Sequence, residues 1–253
     1  MMSGLPPSAG QAGWALFLDI DGTLLDLAAT PEDVVIPEGL PQMLDSLARS
    51  LGGAFALVSG RSLDSIDKLF PGPWDAVGCH GAEWRLGGQR FTPPPPWPDG
   101  LIAGIEAARR RLPGVMLERK TQSLALHFRA APEQEAAVRT LAEAAVATDA
   151  HGLDLLEGKS VMEILPAGNS KGLAIERFMR LPPYAGRRPV FAGDDVTDES
   201  GFVAVNAMGG LSIHVGDSPM TRALFRFPDT EAMRHWLNGL NTALGGHQDH
   251  EHP

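Results

Sequence analysis

Residues 14–24 read WALFLDIDGTL, and this stretch decides the fold. WALFL is apolar without alternation, as a strand covered on both faces should be. Two carboxylates follow at once, Asp19 and Asp21, with Gly22 and Thr23 behind them. Like charges this close disfavour joint ionisation unless a cation or a shared proton intervenes. A buried strand ending in such a pair predicts a parallel sheet with a ligand site at the carboxyl ends of its strands.

The pattern repeats downstream. Leu40, Met43, Leu44, Leu47 and Leu51 fall at helical spacing. AFALVSGR (54–61) reads as a second buried strand ending in Ser59-Gly60-Arg61, followed by a short helix over 62–70 and a strand DAVGC at 75–79. This β-α-β-α-β alternation argues for a Rossmann-like α/β sheet flanked by helices. The rhythm breaks after residue 80. AEWRLGGQRF (82–91) reads as a hairpin turning at Gly87-Gly88, and TPPPPWP (92–98) as a stiff connector. A helix at 100–112, strands at 115–120 and 123–129, a helix at 133–147 and strands at 152–158 and 160–166 complete an α+β block. From residue 170 the first rhythm returns: helix SKGLAIERFM, strand RPVFAGDD, helix TDESGFVAVNA, strand GLSIHVG, then ALFRF and a helix at 229–244. The expected organisation is a discontinuous domain, 1–81 and 167–253, with 82–166 inserted as a separate unit. Residues 1–13 and 245–253 are expected to be disordered. His247, His250 and His252 of the tail read as solvated rather than as metal ligands.

The 253 residues are 43% apolar, enough for a substantial core, and carry a formal charge of −10. Bulk attraction to nucleic acid or an anionic membrane is disfavoured, so any anionic ligand must meet local positive charge. The single cysteine, Cys79, excludes a disulfide within the chain and fits a reducing compartment. It reads as a small buried residue. MMSGLPPSAGQAG has neither the basic nor the apolar region of a secretory signal, and no apolar run reaches membrane-spanning length. A cytoplasmic location is expected.

The chemistry gathers at the predicted strand ends. Asp19 and Asp21 follow the first strand, Ser59 and Gly60 the second, and Asp194, Asp195 and Asp198 the later strand VFAG, while Lys171 opens the helix after the inserted block. Carboxylates, carbonyls and water suit Mg²⁺. A phosphate ester with an alkoxide leaving group needs a nucleophile for phosphorus and a proton for the departing oxygen. Asp19 can supply the first and Asp21, two residues on, the second. Gly22 lets the backbone turn and approach phosphate. Thr23, Ser59 and the Gly60 backbone can hold phosphate oxygens, Lys171 adds a point charge, and Asp194 completes the Mg²⁺ ligands. Each residue alone is common in turns and helix caps. Their order, each at a strand end or helix start, favours phosphoryl transfer.

DIDGTL, VSGR, GNSKG and GDDVTDESGF resemble the four motifs of the haloacid dehalogenase-like (HAD) phosphatase superfamily. HGAE (80–83), LERK (117–120), ALHFR (125–129) and EGKSVMEI (157–164) narrow the resemblance to its trehalose-6-phosphate phosphatase family. The resemblance implies a HAD core with a mobile α+β cap of C2-like type. It implies Asp19 as nucleophile, forming an aspartyl-phosphate, and Asp21 as general acid and base. Mg²⁺ would sit on the Asp19 side chain, the Asp21 main-chain carbonyl and Asp194, and phosphate on Ser59 and Lys171. Asp195 and Asp198 would lie beside the metal, or Asp198 would hold Lys171. Glu118, Lys120, Arg129, Lys159 and Glu163 would meet sugar hydroxyls, and alternation does place Glu118 with Lys120, and Lys159 with Glu163, on one strand face. The implied reaction is hydrolysis of trehalose 6-phosphate, after a synthase that makes it. A sucrose-phosphate phosphatase, a phosphosugar mutase and a non-catalytic phosphosugar sensor remain alternatives, because specificity lies in the cap rather than the core. No role follows for His80, Glu83 or His127.

Overall fold

A computed structural model describes residues 6–7, 13–28, 30, 33–94, 97–147, 152–218 and 220–245. The tail histidines, and most of the two ends expected to be disordered, lie outside these residues. Within the first end, Pro7 accepts the Trp236 indole N–H at 3.4 Å and Gly13 accepts the Arg188 N–H at 2.9 Å, so those points are tied to the fold.

Twelve strands form two sheets among the described residues. The larger contains β1 (Trp14–Leu18), β2 (Phe55–Val58), β3 (Asp75–Gly78), β4 (Glu83–Leu86) and β5 (Gln89–Phe91). The smaller contains β6 (Met116–Arg119), β7 (Leu124–His127), β8 (Leu153–Gly158) and β9 (Val161–Pro166). The larger is completed by β10 (Arg188–Gly193), β11 (Leu211–Val215) and β12 (Phe225–Phe227). Its order is β12-β11-β10-β1-β2-β3-β4-β5, parallel from β12 to β3.

WALFL therefore lies in the middle, with Leu18 opposite Leu57 on one side and Ala192 on the other. All five residues are buried. Leu16 and Leu18 pack with Leu44 and Leu47 of α1 (Leu40–Ser50), while α2 (Leu63–Leu69) supplies Leu63 and Ile66 to the same side. Phe17 faces the opposite layer, against Phe178 and Phe202. Burial on both faces explains the unbroken apolar run, each large side chain contributing roughly 1.5–3 kcal/mol. The remaining helices are α3 (Leu101–Arg109) and α4 (Glu135–Ala147) beside the smaller sheet, and α5 (Lys171–Phe178), α6 (Glu199–Ala207) and α7 (Thr230–Ala243) beside the larger.

The hairpin forms where expected but belongs to the other unit. Glu83 pairs with Gly78 and Arg85 with Ala76, so β4 and β5 extend the large sheet as an antiparallel edge. The turn at Cys79–Gly81 is too short to carry the chain anywhere except back along β3, and Trp84 packs edge-on against Phe178. By hydrogen bonding the hairpin expected in the inserted unit is part of the large sheet, and the smaller sheet takes its first strand at Met116.

The smaller sheet, β6-β7-β9-β8, is antiparallel throughout. Leu124, Leu126, Met162 and Ile164 turn to Val138 and Ala142 of α4 and Ile105 of α3. Alternation aims Glu118, Ala125 and Glu163, in register across β6, β7 and β9, to the other face. That face meets the strand ends of the large sheet.

Candidate active site

Asp19, directly behind β1, is 4% exposed, and α5 and the turn after β10 converge on it. Its N–H continues the β1 ladder to Ala192 at 2.9 Å, which fixes where the carboxylate emerges. Thr23 donates its hydroxyl to Asp19 Oδ2 at 3.2 Å. Lys171 opens α5 because Ser170 caps that helix, accepting the Leu173 N–H at 3.1 Å. Its Nζ donates to Asp19 Oδ1 at 2.8 Å and to Asp198 Oδ1 at 2.6 Å. The other oxygen of Asp198 accepts the N–H groups of Asp194 at 3.1 Å and Asp195 at 3.0 Å. Asp198 is thus the keystone of the turn after β10, and that turn brings Asp194 to Asp19.

Oxygens of Asp19, Asp194 and Asp198 lie within 4.8 Å of one another. Burial, then the neighbouring carboxylates Asp19, Asp198 and Asp195, push Asp194 up to about 9. Burial pushes Asp19 up to about 7 against the pull of Lys171. For Lys171 burial acts downward, but Asp19 and Asp198 outweigh it and raise its pKa. The cluster has more negative charge than one lysine offsets. Among the described residues the Asp194 carboxylate takes no side-chain hydrogen bond, and it packs directly on Gly22, at φ 79°, where a Cβ would overlap its oxygens. An all-oxygen donor set with spare charge, its oxygens within 4.8 Å of one another, fits a hard divalent cation such as Mg²⁺.

Asp21 is gripped by a residue whose role the sequence does not reveal. Arg61, 8% exposed, places Nε and Nη2 on its two oxygens, both at 2.6 Å, the bidentate geometry that orients a carboxylate most strongly. Ser59 stands beside it, its Oγ accepting the Arg61 N–H at 3.1 Å.

The polar face of the small sheet roofs these groups. Glu163 accepts from Lys120 at 3.0 Å and from Ser123, and its second oxygen lies 3.1 Å from His80 Nε2. Glu118 pairs with His127 at 2.8 Å. Arg129 reaches the Ala28 carbonyl at 2.6 Å. Between roof and strand ends lies a cavity of about 420 Å³, lined by Asp19, Asp21, Ser59, Gly60, Glu118, Lys120, Arg129, Lys159, Glu163, Lys171, Asp194 and Asp195. A larger groove of about 1800 Å³ between α5, α6 and residues 216–228 contains none of the paired strand-end carboxylates; these line the smaller cavity.

Two expected phosphate contacts fall elsewhere. The Thr23 hydroxyl is taken by Asp19 and its N–H by Ile20, 3.4 Å away, and the residue is fully buried. It orients Asp19 rather than facing the cavity. The Gly22 N–H is bonded to Leu25 at 2.7 Å, so Gly22 contributes space rather than a donor. Arg61 and His80 line the cavity without having been assigned a place there; the readable signal for Arg61 was a charged residue directly behind a buried strand. Cys79 is buried as expected, and desolvation, with Glu83 beside it, pushes its thiol up to about 12, so it is no thiolate nucleophile.

The family model described as trehalose-phosphatase matches residues 17–226, a span that takes in the strand-end carboxylates and the roof together. The chain belongs to the trehalose-phosphatase family. It is 46% identical to a probable trehalose-phosphate phosphatase of Sinorhizobium fredii (strain NBRC 101917 / NGR234), over 87% of this chain and 85% of that one. It is 41% identical to the trehalose-6-phosphate phosphatase of Escherichia coli (strain K12), over 92% and 89%. The C-terminal domain of the C. albicans trehalose-6-phosphate phosphatase superposes with a TM-score of 0.73 at 22% identity, covering 92% of each chain, which shows the shared fold. Trehalose-phosphatase chains are phosphoric monoester hydrolases with a Rossmann-like HAD core and a cap, and this chain is one of them. No helix among its described residues is long and apolar enough to cross a membrane.

Proposed function

We propose that this chain hydrolyses trehalose 6-phosphate to trehalose and phosphate through an aspartyl-phosphate on Asp19. The observation that carries the reading is a buried carboxylate held by Lys171 and Thr23 beneath a roof of charged groups suited to sugar hydroxyls. Asp19 Oδ forms a bond to phosphorus as the bond to the sugar oxygen breaks. Asp21 gives that oxygen its proton, then takes one from the water that displaces Asp19. Arg61 fixes where Asp21 waits, and proton delivery requires the carboxyl to turn from that fork into the cavity. Ser59, Gly60 and Lys171 face the phosphoryl oxygens. Mg²⁺, held by Asp19, Asp194 and the Asp21 carbonyl, would offset charge on the phosphoryl group and carboxylates.

The unit after Phe91 serves as the cap. Glu118, Lys120, Arg129, Lys159 and Glu163 read the disaccharide by hydrogen bonds, with Lys120 and Glu163 trading partners they now share. A cytoplasmic setting downstream of a trehalose-phosphate synthase suits this reaction. Neither nucleic acid nor membrane enters as a partner.

The test is phosphate release by the purified protein from trehalose 6-phosphate, sucrose 6-phosphate, glucose 6-phosphate and mannose 6-phosphate, with Mg²⁺ and with EDTA. Preference for trehalose 6-phosphate, lost in EDTA, is expected. Preference for another ester would reject the assignment of the cap.

A further inference from the structure

His80 has no part in that chemistry, yet it is not placed like an ordinary core histidine. Cys79 and His80 have φ of 44° and 55°, a conformation that is costly for a non-glycine residue and persists only where its surroundings enforce it. The turn lays the imidazole on Gly60, so closely that a Cβ there would overlap the ring. From this position Nε2 reaches Glu163 Oε2 at 3.1 Å, while Nδ1 is buried and has no hydrogen-bond partner among the described residues. Lys120 approaches the same glycine from the roof, donating to its carbonyl at 2.9 Å and to Glu163 at 3.0 Å. Two groups that converge on one buried carboxylate of the small sheet thus grip Gly60, next to Ser59.

A glycine would take this backbone conformation without strain, and an apolar ring would fill the space without stranding a buried nitrogen. Neither would place a ring nitrogen on a carboxylate 83 residues away in the other unit. We propose that His80 is a positioning residue: it ties the seating of the cap, through Glu163, to the Ser59-Gly60 loop, which reaches its working geometry only when the two are joined. The proposal rests on the phosphatase reading above.

The coupling acts only through the pair, so adding His80→Asn to Glu163→Gln, which also disturbs the contacts to Lys120 and Ser123, should cost little more than Glu163→Gln alone. His80→Asn keeps a residue type that tolerates left-handed backbone and shortens its reach. Glu163→Gln removes the charge and keeps the shape. In substrate-free protein, amide exchange over residues 58–62 should quicken about tenfold in each variant and no further in the double variant. The kcat/KM for trehalose 6-phosphate should fall about 10- to 100-fold in each, with the double within about threefold of the worse single. His80→Gln, whose amide can reach Glu163, should recover part of the loss. Unchanged exchange at 58–62, or losses that multiply in the double variant, would overturn the proposal. Glu163→Gln alone carries the exchange measurement should His80→Asn fail to fold. Exchange needs no substrate, so wild-type protein inert toward trehalose 6-phosphate but coupled in exchange would sink the substrate reading and leave this one standing.

Discussion

The carboxylates at the end of the large sheet and the charged face of the small sheet are both sheltered and both ion-paired, but they are held differently. Asp19, Lys171, Asp198 and Asp194 come from β1, α5 and the turn after β10, all within one unit, and their partners are fixed by backbone ladders and a helix cap. Glu163, Lys120 and Arg129 complete their hydrogen bonds across units, on His80, Gly60 and Ala28. One set is preorganised by the fold and the other by the meeting of two parts. Preorganised charge suits bond making, where reorganisation would be costly. Charge that depends on docking suits recognition, where it can exchange partners with a ligand. The comparison predicts that damage to the first set spares no substrate, whereas damage to the second discriminates among them.

The largest effect should come from Asp19→Asn. It removes the proposed nucleophile, so turnover of every phosphate ester should fall about 10⁴-fold or more. The variant should fold, because burial already disfavours the charge it removes. Residual activity near wild type on a small aryl phosphate would break the comparison at its first step.

Lys171→Met comes next and touches stability. It strips the cation from two carboxylates, one of them fully buried. Breaking a buried pair on one side typically costs about 3–5 kcal/mol. Urea unfolding should show a loss of that order, with activity lost on sugar and aryl phosphates alike. A variant of unchanged stability would mean that these charges are not desolvated as the structure has them.

The large sheet was legible in the sequence because burial on both faces leaves an unbroken apolar run, and because Asp19, Asp21 and Asp194 stand immediately behind such runs. What escaped depends on contacts that sequence separation conceals. The hairpin at 83–91 has the same alternation whichever sheet it joins, and only its pairing with β3 settles the matter. Thr23 could as readily have faced the cavity; a bond to Asp19 four residues back turned it inward. Arg61 meets Asp21 across 40 residues, and nothing local to either shows that pairing.

A smaller effect separates the two regions by pH. Asp19 and Asp194, raised to about 7 and about 9, well above the ordinary carboxylate range, bind more protons folded than unfolded in that range. Such groups contribute stability below the unfolded value that is lost as pH rises through the folded one. Glu163 moves oppositely: burial would raise it, but Lys120 and His80 hold it well below the ordinary carboxylate range, so its titration is over before the window opens. In EDTA the melting temperature should fall between about pH 5 and pH 9, and Mg²⁺ should flatten the slope by favouring the ionised carboxylates. A slope indifferent to Mg²⁺ would place the cation elsewhere.

Arg129→Ala is the gentlest change and the sharpest discriminator. Its side chain is exposed, lines the cavity and makes its described hydrogen bond to a backbone carbonyl at the rim. Removing it leaves no buried charge unpaired, so the melting temperature should hold. Asp19, Asp21 and Lys171 keep their contacts, so an aryl phosphate, which has no second sugar to offer, should turn over within about twofold of wild type. The disaccharide ester loses a charged donor to its hydroxyls, an interaction of roughly 1.5–3 kcal/mol, and its kcat/KM should drop about 10- to 100-fold. Because that contact is made in ground state and transition state alike, the loss should appear mainly in KM. Equal loss on both esters would move Arg129 from recognition to chemistry, and the contrast between the two sheets would fail at the residue where it is easiest to measure.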